Sequence, residues 1–484
     1  MLFNSFSFLI FFPVVLLLYF GLPQKAKNVW LLAASYFFYM AWNARYGLLL
    51  LGFTLITYAA SLAIERIRGQ EDARNGKRTV SVIFAVSVIA ILSILFYFKY
   101  FDFSVRAANK LFRLLRIQLN FSARDIALPV GISFFAFQAI GYLIDVVRGD
   151  TKAERSFFKY ALFVSFFPQL VAGPIERSRN LLAQLGETHG FNFDRAKDGV
   201  FSMAWGFFLK IVVADRAAVL VDFVFANEAA TGCQVAFATL VFSFQIYCDF
   251  CGYSTIALGA AKILGINLTR NFNCPYFSVS ISDFWRRWHI SLSTWFRDYV
   301  YIPLGGNRRS RLRRSMNIMA VMLLSGIWHG AGFNYILWGA LHGVLQVAEG
   351  FGKPLIEKVN VHVRTLFTFL LVCSSWLLFR CTYISRGARM VKSIFCDFNA
   401  ESVLSNTLAQ YNLDRQNMLL LLFSMLLIMA ADFLSCKGIS LKKIVLKRRL
   451  AFQATVLVLF VDAVIVFGIW GTSFDRAAFI YFQF

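Results

Sequence analysis

The chain has 484 residues, of which 58% are apolar and only 15% are charged, well below the roughly 25% charged residues of ordinary soluble domains. This composition excludes a soluble globular protein, and many apolar runs of about 20 residues indicate a polytopic helical membrane protein. The formal net charge of +23 comes from basic residues in short loops between apolar runs, which is typical of cytoplasmic loops facing anionic headgroups rather than of nucleic-acid binding.

The apolar runs predict membrane spans whose boundaries are soft by a few residues. Since several runs are too short to cross unaided, we expect about ten to twelve crossings together with one or two re-entrant half-helices. The candidate spans are 3–22, 29–43, 46–65, 79–98, 128–147, 157–172, 199–225, 234–264, 316–329, 333–349, 364–380, 417–436 and 450–471.

Three of these runs show special features. The first, 3–22, has neither a basic segment before it nor a small-residue cleavage site, so we expect a retained span rather than a signal peptide. The run 157–172 reaches Pro168 and is followed by Gly173 and Pro174, which favours a re-entrant or broken helix. Glycines at 326, 330 and 332 indicate a break between 316–329 and 333–349.

Lysines and arginines in the loops predict the orientation. The segments 66–78, 286–314 and 437–449 are the most basic and should be cytoplasmic, whereas 226–232 lacks Lys and Arg and should be extracytoplasmic. Three spans precede the first basic loop, so the N-terminus should lie outside. The basic segment 99–126 conflicts with this alternation. Either it lies on a surface as an amphipathic helix, or the count of spans is wrong there.

The segment 285–299 carries aromatic and basic residues at helical spacing. Read as one helix, it places Trp285, His289, Leu292 and Phe296 on one face and most of its arginines on the other. This pattern predicts a helix that lies in the interfacial plane or dips into the protein, with His289 pointing inward. Two interpretations remain open: a surface helix anchored by aromatics and arginines, or a helix that lines a substrate site.

Two further histidines, His329 and His342, lie inside apolar runs, where hydrocarbon cannot solvate an ionisable side chain. His329 stands among glycines, and a neutral imidazole can take a proton from a hydroxyl near neutral pH. The alternative is a core histidine that hydrogen-bonds a carbonyl of a neighbouring helix. Both interpretations also stay open for His342, which an unbroken helix would place on the opposite side from His329.

Other motifs give weaker signals. The arginines of 308–314 are either a topology signal or partners of a nucleotide's phosphates, since guanidinium groups match phosphate oxygens. Cys248 and Cys251 form a C-x-x-C without a second pair or a nearby histidine, so we expect buried thiols and no metal site. The acids Asp145, Asp215 and Asp249 are expected to hydrogen-bond between helices. No nucleophile elbow or phosphate loop supports a covalent intermediate.

Ordered motifs spread over nearly the whole chain carry a family resemblance. They are MLFNSFSFLIFFPVVLLLYF at 1–20, LPVGISFFAFQAIGYLIDVVRG at 128–149, PQLVAGPIER at 168–177, FFLKIVVADR at 207–216, IYCDFCGYSTIALGAAKILGI at 246–266, FWRRWHISLSTWFRDYVYIPLGG at 284–306 and WHGAGFNYILWGALHG at 328–343. The chain thus resembles the membrane-bound O-acyltransferase family, in its bacterial alginate O-acetyltransferase branch. Cys251 and Thr255 stand where this family usually has serine and an acidic residue, which affects only local packing.

The resemblance implies an all-α ring of tilted transmembrane helices around a central funnel or tunnel. It implies one domain over 1–484, with a catalytic core at about 128–349 and C-terminal helices at 364–471. His329 falls on the essential histidine and His289 on its upstream partner. His342, Trp328 and Asp283 are supporting candidates. We expect Arg286, Arg287, Arg308 and Arg309 to bind the donor.

The implied activity is transfer of an acetyl group from cytoplasmic acetyl-CoA, through the bacterial inner membrane, to alginate or a similar exopolysaccharide. Coenzyme A is too polar to cross, so a protein that meets donor and acceptor from opposite sides avoids transporting it. Acetyl-CoA would be a substrate, with no permanently bound cofactor and no metal. An extracytoplasmic esterase-like partner protein is expected. The alternatives are D-alanyl or peptidoglycan acyl transfer, and a polysaccharide transporter, although the sequence shows no inverted repeat.

Overall fold

A computed structural model describes residues 1–69, 73–171, 173–399 and 411–469. The elements in these ranges are helices, and no strand occurs among the residues described. This confirms the all-α prediction. The contacts group the chain into two compact units, Met1–Gly199 with Ala260–Thr269, and Val200–Gly259 with Arg270–Phe484. The single domain over 1–484 stays a prediction, as does the ring of helices around a funnel.

The first ten helices lie between the N-terminus and Phe207. They are α1 Phe6–Gly21, α2 Gln24–Met40, α3 Ala44–Arg68, α4 Ala73–Lys99, α5 Phe101–Leu114, α6 Ile132–Arg148, α7 Phe157–Ser165, α8 Phe167–Leu170, α9 Ser178–Leu185 and α10 Phe193–Phe207. The later helices are α11 Asp215–Ala226, α12 Gly232–Leu264, α13 Ile281–Arg287, α14 Ile290–Phe296, α15 Arg311–His329, α16 Phe333–Ile356, α17 Val361–Arg380, α18 Ile384–Cys396, α19 Arg415–Cys436, α20 Leu441–Leu446 and α21 Leu450–Phe467.

Six helices in the described residues are long and apolar enough to cross a membrane: α3, Gly76–Lys99 within α4, α12, α17, α19 and α21. Together they support a multi-pass membrane protein. Several other predicted spans are shorter helices, such as α1 with 16 residues and α2 with 17. The total of about ten to twelve crossings stays a prediction.

The predicted break in 157–172 is confirmed. Helix α7 ends at Ser165, Phe166 has ψ 110°, and the four-residue α8 follows. The chain then turns back tightly, because a Cβ atom on Gly173 would lie 2.2 Å from Cα of Gln169. Only a glycine allows so close an approach of backbone to backbone.

The prediction of one regular span at 199–225 needs correction. The helical segment begins earlier, at Phe193, and ends at Ala226, and its middle, Phe208–Ala214, is π-helical. A π-helical stretch is wider than an α-helix and is frequent at functional sites. The 3.6-residue periodicity of the sequence does not reveal the π-helical stretch, because the surrounding run is apolar and shows no separate polar face.

The basic segment 99–126 contains the amphipathic helix that was one of its two interpretations. None of the residues of α5 is fully buried, and the apolar Leu111 and Leu114 are exposed. The carboxylate of Asp102 accepts the backbone N–H groups of Arg124 and Ile126 at 2.8 and 2.9 Å, which fastens the following loop to the helix. These hydrogen bonds lower the pKa of Asp102, because they stabilise its charged form.

Helices α15 and α16 approach each other closely through glycines. A Cβ on Gly326 would lie 2.3 Å from the carbonyl oxygen of Tyr335, and one on Gly339 would lie 2.4 Å from that of Met322. The chain breaks between the two helices at Gly330 and Gly332, both of which are extended. His329 therefore ends α15 where the two backbones meet, and the predicted break between the histidines is confirmed.

Candidate active site

His289 lies at a break between two helices, so the prediction of one helix over 285–299 was wrong. Helix α13 ends at Arg287, and α14 begins after His289, whose φ of +43° and ψ of 54° are left-handed. The cause is Asn271. Its carbonyl oxygen accepts the N–H of Ile290, and its side chain accepts both the N–H and the hydroxyl of Ser291. These bonds satisfy the first donors of a new helix.

Although the helix is broken, His289 points inward as predicted and is fully buried. Its ring lies edge-on to Phe250, with centroids 4.7 Å apart, and 5.6 Å from Trp328. A left-handed backbone at a residue other than glycine is a strained feature that clusters at active sites. The ring is therefore held in a position that a regular helix would not give it.

His329 is the nearest other histidine, with its ring centroid 6.4 Å from that of His289. Its Nδ1 lies 2.6 Å from the carbonyl oxygen of Ser325, one turn earlier in α15. A carbonyl oxygen only accepts, so Nδ1 carries the hydrogen, and the neutral ring has its lone pair on Nε2. The side chain is 2% exposed and lies among Trp328, Trp338 and Phe379. This tautomer suits a general base.

His342 has a different environment. The indole N–H of Trp285 donates to its Nδ1 at 3.3 Å, and its Nε2 lies 3.0 Å from Oγ of Ser375. That hydroxyl already donates to the carbonyl of Val372. The arrangement assigns the ring hydrogen to Nε2, so both ring nitrogens are occupied. His342 ties α13, α16 and α17 together, and the structure favours a packing role over a base.

The structure brings together His289, His329 and Trp328, and Trp338 separates this group from His342. The Trp338 ring lies 5.1 Å from that of His329 and 4.9 Å from that of His342. Asp283, a supporting candidate, instead forms an ion pair with Arg287 at 2.9 Å. Trp338 was not among the predicted site residues, although it lies one helical turn before His342.

The candidate donor-binding arginines are more exposed than the residues of this aromatic cluster. Arg286, Arg308 and Arg309 are exposed, and the side chain of Arg287 is engaged by Asp283. Arg309 packs against Gly305, whose backbone is left-handed. A Cβ atom added to Gly305 would lie 2.8 Å from Cγ of Arg309. Binding of donor phosphates by these arginines stays a prediction.

A buried charge cluster was missed. Nζ of Lys210 lies 2.8 Å from the carboxylate of Asp215 and 2.7 Å from that of Asp249, and all three side chains are almost fully buried. Lys210 is in the π-helical segment, and Asp249 precedes the Phe250 that contacts His289. The sequence signal for this cluster was Lys210 inside an apolar run, with Asp215 in the same run and Asp249 in the next. Asp145 accepts a hydrogen bond from Ser178, as expected of a helix-packing acid.

Comparison with known proteins extends this picture. A model of the membrane-bound O-acyltransferase family matches residues 148–385. The chain is 40% identical over 398 residues to a probable alginate O-acetylase of Pseudomonas aeruginosa, covering 82% of this chain and 75% of the relative. It is 36% identical over 431 residues to a peptidoglycan O-acetyltransferase of Helicobacter pylori, covering 81% and 80%. A teichoic acid D-alanyltransferase of Bacillus subtilis is 28% identical over 270 residues, covering 52% and 68%.

Proposed function

The chain belongs to the membrane-bound O-acyltransferase family and is a multi-pass membrane O-acyltransferase, and from this premise we propose that it moves an acetyl group from cytoplasmic acetyl-CoA to an extracytoplasmic alginate or similar exopolysaccharide. Relatives named as probable alginate O-acetylases, at 38–40% identity, support this acceptor. The bacterial inner membrane is the compartment where a cytoplasmic thioester and an exported polymer can both be reached.

The observation that carries the proposal is the hydrogen bond from Nδ1 of His329 to the carbonyl of Ser325. It leaves Nε2 as the basic nitrogen, inside a buried aromatic cluster. In the proposed step Nε2 takes the proton of the acceptor hydroxyl while that oxygen attacks the thioester carbonyl carbon. The C–O bond forms, the C–S bond breaks, and the proton passes from His329 to the leaving thiolate, giving an acetyl ester and free coenzyme A.

His289 is proposed to orient the acceptor or share its proton. With ring centroids 6.4 Å apart, nitrogens of His289 and His329 cannot hydrogen-bond directly. An oxygen atom placed between the rings could contact both. Trp328 lies against both rings, with centroids 5.6 and 5.0 Å away, and keeps their separation fixed.

The donor and partners follow from the same proposal. Acetyl-CoA binds as a substrate and not as a resident cofactor, with Arg286, Arg287, Arg308 and Arg309 near its phosphates. The acceptor hydroxyl belongs either to the polymer or to an extracytoplasmic partner protein that passes the acetyl group on. A transporter function is set aside, because the chain is an O-acyltransferase.

A second candidate acceptor is peptidoglycan. The observation in its favour is the 36% identity to a peptidoglycan O-acetyltransferase, of which this chain covers 80%. The acetyl group and the proposed base are the same in both cases. D-alanyl transfer has weaker support, because the teichoic acid D-alanyltransferase matches only 52% of this chain.

The test replaces the proposed base. His329→Ala should lower acetyl transfer at least about 100-fold, the usual contribution of a general base. The readout is the ester content of alginate and of peptidoglycan in cells that carry the full-length variant as their only copy. His362→Ala is the matched control, since His362 is an exposed histidine at the start of α17. A folded, membrane-inserted His329→Ala protein with full acetylation of either polymer would refute the proposed role.

A further inference from the structure

A cleft of about 200 Å³ lies between the first turns of α15 and the last turns of α16. The residues that α15 contributes are spaced i, i+3, i+4 and i+7, so they share one face of the helix. The lining residues are Arg311, Arg314, Ser315 and Ile318 on α15, and Gln346, Val347, Gly350, Phe351 and Pro354 on α16.

The cleft exists because the two helices are close at only one end. Near His329 they touch backbone to backbone at Gly326 and Gly339, and a Cβ on Gly343 would still lie 2.7 Å from the sulfur of Met319. Further along α16, a Cβ on Gly350 would have no neighbouring atom within 4 Å. The space between the helices therefore widens toward the basic end of α15.

The polar part of the cleft is cationic. Within the described part of the chain, neither guanidinium group, that of Arg311 or of Arg314, forms an ion pair with a carboxylate. The hydroxyl of Ser315 donates to the carbonyl of Arg311, one turn earlier. Two guanidinium groups one turn apart on one helix face match the oxygens of a phosphate group.

The rest of the cleft and its surroundings are apolar. Ile318 and Val347 are half-buried in its wall, and Phe351 at its rim is 62% exposed. Leu312 and Leu355, next to the lining residues, are 72% and 71% exposed. A water-soluble phosphate compound would leave these side chains uncovered, whereas an acyl chain would cover them.

We propose that this cleft binds an anionic phospholipid, with its phosphate between Arg311 and Arg314 and an acyl chain along Phe351 and Leu355. The basic loop before α15 is predicted to be cytoplasmic, and basic pockets between helices on that side are suited to anionic lipid headgroups. The cleft lies at the end of α15 opposite His329, the proposed base, and begins two residues after Arg309, the last arginine proposed for the donor's phosphates. Phospholipid binding in the cleft does not depend on the identity of the acceptor.

Native mass spectrometry of the full-length protein tests the proposal. The protein is purified in detergent and given equal amounts of phosphatidylglycerol and phosphatidylcholine. The unsubstituted protein should retain phosphatidylglycerol in preference. Arg311→Gln with Arg314→Gln should weaken this retention about 30-fold, at roughly 1 kcal/mol for each arginine. Arg311→Lys with Arg314→Lys keeps the charge and should restore most of it.

Two matched comparisons separate the cleft from general surface charge. Arg448→Gln with Arg449→Gln removes the same charge from two exposed arginines elsewhere and should leave retention unchanged. Gly350→Leu fills the cleft with an apolar side chain while both arginines remain, and should reduce retention. Gly52→Leu is its control, because Gly52 is also a helical glycine with no atom near an added Cβ.

Three outcomes would overturn the proposal. Equal losses in the Arg448/Arg449 and Arg311/Arg314 variants would mean that only net charge matters. Unchanged retention in Gly350→Leu would mean that the lipid binds outside the cleft. Displacement of phosphatidylglycerol by excess inorganic phosphate or adenosine 3′,5′-bisphosphate would identify a site for a soluble phosphate compound instead.

Discussion

At the scale of single residues, the hydrogen bonds of His329 and His342 assign the ring hydrogen to different nitrogens. His329 donates from Nδ1 to a carbonyl of its own helix, so its ring hydrogen is on Nδ1 and Nε2 is the basic nitrogen. His342 uses both nitrogens, toward Trp285 on α13 and Ser375 on α17. The same residue type is therefore a candidate base in one place and a connection between helices in the other.

We predict that His342→Ala lowers the stability of the protein by about 2–4 kcal/mol. It leaves a cavity and takes away the acceptor of the buried Trp285 N–H. Ser375→Ala, which removes one bond to the same ring, should cost only about 1 kcal/mol. Thermal unfolding in detergent measures both. If His342→Ala kept its melting temperature yet lost all acetyl transfer, His342 would have a chemical role, and the packing role assigned to it would be wrong.

The sequence identified these histidines because an ionisable side chain in an apolar run is conspicuous. It left the role of His342 open because the partners Trp285 and Ser375 are far away in the chain. The prediction that His289 points inward assumed a regular helix. That helix is interrupted by the hydrogen bonds that Asn271 accepts. Such a break depends on a tertiary contact that local periodicity does not contain.

At the scale of elements, the packing of α15 on α16 controls where His329 lies. We predict that Gly339→Ala destabilises the protein by about 1–3 kcal/mol, because the added Cβ would push the carbonyl of Met322 and separate the helices. Acetyl transfer should fall with it. Gly52→Ala is the control, with open space around its Cβ. A Gly339→Ala protein as stable and active as the unsubstituted one would show that the helices can separate without effect.

The attachment of the loop to α5 should depend on pH. The pKa of Asp102 is lowered from 3.8 by its bonds to the N–H groups of Arg124 and Ile126. A carboxylate with a lowered folded-state pKa stabilises the fold above its unfolded pKa, and this contribution is lost as the pH falls through the lower folded value.

Hydrogen exchange of residues 121–126, corrected for intrinsic rates, should therefore be slow near neutral pH and become faster as the pH falls below 3.8, the ordinary pKa of the carboxyl group. Asp102→Asn should expose the same amides at neutral pH. Asp125→Asn is the comparison, because the ion pair of Asp125 with Arg106 is exposed and its loss should change little. Equal exchange in Asp102→Asn and the unsubstituted protein would contradict the assignment.

Some element boundaries could be predicted and others could not. Glycine and proline revealed the breaks after α7 and between α15 and α16, because these residues act through local backbone geometry. The π-helical stretch Phe208–Ala214 gave no such signal. Its lysine is stabilised by Asp215 and by Asp249 on α12, and the second of these contacts is made across a large separation in sequence.

At the scale of the whole molecule, the predicted orientation can be tested with native cysteines. All cysteines lie in the described residues, and Cys396 and Cys436 are the exposed ones. Helix α19, which ends at Cys436, is a candidate membrane span. If the basic segment 437–449 is cytoplasmic, Cys436 is inside, and Cys396, before α19, is outside.

A membrane-impermeant maleimide should therefore label Cys396 in intact cells and reach Cys436 only after the membrane is opened. Cys396→Ser and Cys436→Ser variants assign the signals. For a bacterium with an outer membrane, that barrier is permeabilised in both samples. Labelling of Cys436 before Cys396 would invert the orientation and place the basic loops outside.

Composition alone predicted the class of the molecule, since a chain this apolar has to bury its backbone polar groups in membrane helices. The ordered motifs predicted the family, which the relatives support. The number of crossings and the funnel are properties of how helices are arranged in the bilayer, and neither hydropathy nor short motifs determine that arrangement.

The bond between His329 and Ser325 has a genetic consequence. One partner of the imidazole is a main-chain oxygen, which every amino acid supplies, so replacing the Ser325 side chain keeps this acceptor in the chain. A saturating screen for inactive alleles should therefore recover position 325 only as replacements that are too large for its buried site or that break the helix, and not as Ser325→Ala.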